Sequence, residues 1–136
     1  MKTGIWIDKK EAIIVSLNHE DVRLNTISSE IEFFNVHGGS GTRLKGGPQD
    51  VVQDRKYLER EKHQTKRYFD AVIQDIESAD AIVIFGPSEM GQKLHKEMEL
   101  NHPLLAAKVA EVARADSMTE NQMIAWVKSF FKSHRH

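Results

Sequence analysis

Residues 81–89 read AIVIFGPSE: five unbroken apolar residues, preceded by Asp80 and closed by the pair Gly86-Pro87. A run this short, without polar alternation and ended by two residues that interrupt regular structure, is the pattern of a strand buried on both faces. Such strands belong to sheets covered by helices on each side, so the stretch selects an α/β fold. Ser88 follows as the N-cap of a helix over 89–100, in which Met90, Leu94 and Met98 recur on one face and Pro103 comes just after the end.

Upstream, GIWID (4–8) and AIIVSL (12–17) are β-branched apolar runs separated by Lys9, Lys10 and Glu11, which reads as a hairpin. A third strand is expected within 22–34, where Ile27, Ile31 and Phe33 partly alternate. Downstream, 104–116 fits a helix nearly as well as a strand. Taking 108–115 as a strand gives the order βββαβαβα, three antiparallel strands extended by parallel ones with helices on both faces. Thr119 and Gln122 form a capping box opening a last helix, whose Met123, Ile124, Val127, Phe130 and Phe131 share a face. Trp6 and Trp126 lie in apolar-patterned segments and read as core.

With 136 residues and 40% hydrophobic content, the chain has the material for one domain with a real core, and residues 1–136 are expected to form it. It has no cysteine, which excludes disulfides, thiolate metal sites and a cysteine nucleophile. The absence of an apolar N-terminal run leads to the expectation of a cytoplasmic protein with no membrane partner. A net charge of -1 excludes a generally cationic nucleic-acid binder, so any polyanion site has to be local.

One local excess exists. Between Asn35 and Gln49 stand Gly38, Gly39, Gly41, Gly46 and Gly47, with Arg43 and Lys45 among them. That density fits a flexible, basic loop, placed at about 35–53 in the expectation. The helix after it puts Leu58, Thr65, Phe69, Val72, Ile73 and Ile76 on one face and Lys56, Arg60, His63 and Arg67 roughly opposite. From 55 to 67, Arg55, Lys56, Arg60, Lys62, Lys66 and Arg67 face only Glu59 and Glu61, so intrahelical pairing cannot neutralise the segment. The expected RNA-binding residues are Arg43, Lys45, Arg55, Lys56, Arg60, Lys62, His63 and Arg67.

Other chemistry is poorly supported. The seven histidines have no metal-ligand spacing, and no metal or cofactor is expected. Asp8 with Glu59 or Glu61 would be the carboxylates of a two-metal nuclease, yet the fourth strand ends on Gly86 and Pro87 where another acid is needed; Asp8 reads as a turn residue.

Taken together, the hairpin GIWIDKKEAIIVSL, the Gly-Gly-bearing loop, the basic helix DRKYLEREKHQTKRYF, the turn AIVIFGPSE and the segment AKVAEVARAD resemble the middle domain of the eukaryotic and archaeal class I peptide-release factor and its Pelota relatives, including small bacterial proteins of that superfamily. The resemblance implies a ribonuclease H-like fold, with the ribosome, ribosomal RNA or tRNA as partner. It also implies a Gly-Gly-Gln loop that promotes peptidyl-tRNA ester hydrolysis, and the matching catalytic positions are Gly46, Gly47 and Gln49. Here Pro48 intervenes. It supplies no N–H, fixes its own φ and displaces the glutamine, so a release-factor-like hydrolase is expected to be weak or inactive. The expectation is a translation-associated RNA- or ribosome-binding protein. Its alternative is a non-catalytic module that keeps the fold and docks a protein partner.

Overall fold

The structure, a computed structural model, describes the backbone of residues 1–31 and 48–133, and the side chains of that set except 48–57. Three strands come first, β1 (Lys2–Ile7), β2 (Glu11–Asn18) and β3 (Asp21–Ser28), then α1 (Pro48–Asp75), β4 (Ala81–Gly86), α2 (Met90–Asn101), the single turn α3 (Pro103–Ala106), β5 (Val109–Arg114) and α4 (Glu120–Ser133). The sheet order is β3-β2-β1-β4-β5. Pairing is antiparallel within β1–β2–β3 and parallel from β1 to β4 to β5. This is the ribonuclease H-like mixed sheet expected from the sequence.

Local chemistry sets the turns. The Asp8 carboxylate accepts the N–H groups of Lys10 and Glu11, each at 2.8 Å, and so closes the β1–β2 hairpin as an Asx turn. His19 and Glu20 join β2 to β3 as a two-residue loop, His19 taking a φ of 60°. Thr119 and Gln122 cap α4 reciprocally: Thr119 N–H donates to Gln122 Oε1 at 2.9 Å and Gln122 N–H to Thr119 Oγ1 at 3.2 Å.

Strand alternation then sorts the apolar residues into two layers. Ile5, Ile7, Ile14, Ile82 and Ile84 face α1, α2 and α3, where they meet Phe69, Val72, Ile76, Leu94 and Met98. Trp6, Ile13, Val15, Val83 and Phe85 face α4, where they meet Met123, Val127, Phe130 and Phe131. Every one of these side chains is buried, which is why β4 shows no polar alternation.

Several boundaries differ from the sequence expectation. The third strand stops at Ser28, leaving Ile31 outside it, while Phe33 lies outside the described residues. As an edge strand, β3 buries little of itself, so its apolar pattern is too weak to mark its end. The segment 104–116 is partly both alternatives, a helical turn over its first residues and then β5. Helix α2 begins at Met90, with Glu89 in the N-cap position, although Ser88 Oγ still accepts the Met90 N–H at 3.2 Å. Helix α1 begins at Pro48, so positions 48–53 of the expected loop are helical; proline suits a first helical position because its missing N–H would have no intrahelical partner there. The remainder of that loop lies outside the described residues.

Candidate nucleic-acid interface

Helix α1 has 28 residues, about 42 Å of length, and is anchored through its C-terminal half. Tyr68, Phe69, Val72, Ile73 and Ile76 are buried and Thr65 is half-buried, but Leu58 is 56% exposed. Leu58 shares the expected face with Phe69, beside which it lines a groove, but it is not covered by the core. Apolar periodicity continues past the point where a sheet lies underneath, and nothing in the pattern marks that point.

Arg60, Lys62, His63 and Arg67 are all exposed. At 100° per residue, Arg60, His63 and Arg67 fall in one row, opposite the buried face and turned away from the sheet. Among the described residues His63 and Arg67 have no ion-pair partner.

Lys62 and Lys66 project on a different side, toward α2. There Lys66 Nζ lies 3.2 Å from Glu97 and 3.6 Å from Asp70, and Glu97 also accepts Asn101 Nδ2 at 2.8 Å. The hydrogen bond to Glu97, with the Asp70 charge beside it, raises the Lys66 ammonium above the usual lysine range. The basic excess thus divides into an outward row and two groove-side lysines, of which Lys66 is ion-paired. Helical spacing alone separates Lys62 and Lys66 from the row, as the sequence reading of the stripe Lys56, Arg60, His63 and Arg67 already has it, although Lys62 is included with the expected RNA-binding residues.

These two lysines line an open groove of about 680 Å³ between α1 and α2, with Leu58 and Phe69 as its apolar part. Its rim carries Lys62, Lys66 and Lys93 against Glu59, Glu61 and Glu97, a balanced set that favours neither anion nor cation. Arg43, Lys45, Gly46 and Gly47 lie outside the described residues, as do the side chains of Gln49, Arg55 and Lys56. Gln49 itself is in the first turn of α1.

The nuclease arrangement does not assemble. Glu59 and Glu61 line the α1–α2 groove, whereas Asp8 is engaged in its turn and its carbonyl accepts the Tyr68 hydroxyl at 3.1 Å. Among the described residues no three His, Asp or Glu side chains converge to hold a metal. Tyr68 was not recognised from sequence as core; burial first, then the charges of Asp8 and Glu11, push its hydroxyl far above the usual tyrosine range.

At the crossover from β4 to α2, Gly86 has a φ of 154° and its backbone lies against the Ile7 carbonyl. A backbone N–H at the start of α2 and the Lys93 ammonium lower the Glu89 carboxyl, so the helix end already carries its own anion. Trp6 is buried, and Trp126 stacks on Phe85 with ring centroids 4.0 Å apart. No helix among the described residues is long and apolar enough to cross a membrane.

No protein-family model matches the chain, and no curated protein does. Among solved structures, that of an archaeal translation termination factor, aRF1, aligns with a TM-score of 0.46 and 12% identity, covering 98% of this chain and 40% of that one. This chain therefore spans less than half the length of that protein.

Proposed function

We propose that the chain is a cytoplasmic, translation-associated protein that contacts ribosomal or transfer RNA through the outer side of α1. The observation that carries this reading is the row Arg60, His63 and Arg67, exposed on a helix whose other end is locked into the core. A rigid row of cations on a chain of net charge -1 is a local polyanion site, and long Arg side chains suit phosphate. Arg43, Lys45, Arg55, Lys56 and Lys62 are proposed to extend it. The translational setting rests on the sequence resemblance to release-factor middle domains.

Peptidyl-tRNA hydrolysis is not part of the proposed role, because Pro48 removes the N–H that should follow Gly46 and Gly47. A protein-docking module is the second reading, favoured by Leu100 at 70% and Leu104 at 85% exposure around the α2–α3 junction. Capture of partners from lysate, with and without ribonuclease, separates the two. RNA-dependent recovery of ribosomal components supports RNA contact, and partners that survive ribonuclease support docking.

A further inference from the structure

We infer that the chain self-associates as a two-fold dimer through the surface around α3, with Leu104 of each copy entering a pocket on the other. The inference rests on the docking reading of the exposed leucines and names their partner; it is independent of RNA contact.

Helix α2 turns Met90, Leu94 and Met98 into the core, and Leu100, two residues past Met98, points away from that face. Leu100, Pro103 and Leu104 are all exposed, Leu104 to 85%. Pro103 and Leu104 line one wall of a pocket of about 380 Å³, which Leu105 continues inward. Exposed apolar surface gathered beside a concavity marks an interaction site. The projecting leucine and the pocket belong to one patch, and this sets the kind of assembly. A knob and a hole on different faces propagate as an open chain of subunits, whereas on one face they close about a two-fold axis, each copy giving one Leu104 and receiving one.

Charge selects the partner. The same pocket is flanked by one acid and one base: Glu77, in the turn after α1, and Lys108, just before β5, both exposed. Lys108 Nζ donates to the Ala79 carbonyl at 3.1 Å, which fixes the side chain and leaves two of its three N–H groups for an acceptor. The neighbouring Asp80 carboxylate accepts the Met1 amino group. An anionic partner meets Glu77 and a cationic one meets Lys108, so a surface of single sign leaves one charge opposed. A second copy presents the same pair in reverse. About a two-fold axis Glu77 of each copy faces Lys108 of the other, and both contacts are satisfied together.

Sedimentation velocity of the nucleic-acid-free chain over a wide concentration series reads the association. A shift from monomer to dimer, and no further, is expected, and Leu104→Asp should abolish it; circular dichroism checks that this variant, altered at an exposed position, remains folded. Glu77→Lys and Lys108→Glu should each raise the dissociation constant, because like charges then face each other twice, and the two together should restore it. Monomer at every concentration overturns the inference, as do growth beyond the dimer, a dimer indifferent to Leu104→Asp, or a double reversal no tighter than the single ones. A monomer that retains a ribonuclease-resistant protein partner through Leu104 overturns self-association alone, whereas a monomer that retains none overturns the docking reading of this face with it.

Discussion

The docking of α4 on the sheet depends on one missing methyl. A Cβ placed on Gly4 of β1 would overlap Cγ2 of Val127 and stand 3.0 Å from its Cγ1, and Val127 is fully buried. Gly4→Ala should therefore be destabilising through overpacking, about 1–3 kcal/mol, reduced by about 0.4–1 kcal/mol because alanine restricts the unfolded chain, for a net cost of about 1–2 kcal/mol. Val127→Ala removes two buried methyls, and transfer plus cavity terms put its cost at about 2–3 kcal/mol. If the two sites were independent the double variant would lose about 3–5 kcal/mol. The methyl added by Gly4→Ala, however, enters the space that Val127 vacates, so the double variant should lose only about 2 kcal/mol, a favourable coupling of roughly 2 kcal/mol. Urea unfolding of all four proteins, compared at a common m-value, measures this. Additivity to within about 0.5 kcal/mol would refute the packing of Val127 on Gly4.

Three further outcomes are expected. Gly86→Ala combines a φ of 154° with a clash against the Ile7 carbonyl, which is backbone and cannot rotate away; a loss of about 3 kcal/mol or more and a fall in Tm of about 10 °C should appear in thermal unfolding, and an unchanged Tm would contradict that crossover geometry. Tyr68→Phe removes the hydrogen bond to the Asp8 carbonyl at a cost of about 0.5–1.5 kcal/mol near neutrality. Because the folded state raises the Tyr68 hydroxyl from 10.0, its contribution is complete below that value and is lost as pH rises above it, where the unfolded tyrosine ionises first; the alkaline decline of stability should be shallower in Tyr68→Phe, and identical pH profiles would count against it. Finally, the purified chain should release little or no peptide from ribosome-bound peptidyl-tRNA, whereas efficient release abolished by Gln49→Ala would show that the Gly-Gly-Pro-Gln segment is catalytic.

Much of the fold is legible because burial on both faces leaves an unambiguous record. Ile82 to Phe85 carry no polar residue since each is covered on its own side of the sheet, and the paired runs of β1 and β2 follow the same rule. Reciprocal side-chain bonds are equally readable, as Thr119 and Gln122 show. Edges are harder. The strand β3 leaves Leu24 partly exposed and mixes Arg23 and Asn25 into its run, so composition does not say where pairing ends. Leu58 sits in correct helical phase and yet is exposed, because phase reports which side of a helix is apolar and not how far the partner layer extends. At the candidate interface, the residue types and the side of the helix each occupies were legible from spacing, and the pairing was not: Glu97, the acid that takes Lys66, lies 31 residues away on α2. The Gly86 turn was visible as an interruption, while its reason, the Ile7 carbonyl of a strand far upstream, exists only after folding.

The most direct test of RNA contact through α1 is co-sedimentation with ribosomes over a salt series, comparing the unaltered chain with an Arg60→Glu, Arg67→Glu double variant. Both positions are exposed, and circular dichroism checks that the variant remains folded. The unaltered chain should pellet with ribosomes at low salt and be released progressively as salt rises, and the variant should be released at lower salt with a shallower dependence, having exchanged two phosphate-binding charges for repulsive ones. Equal pelleting of the two proteins at every salt concentration would contradict the account.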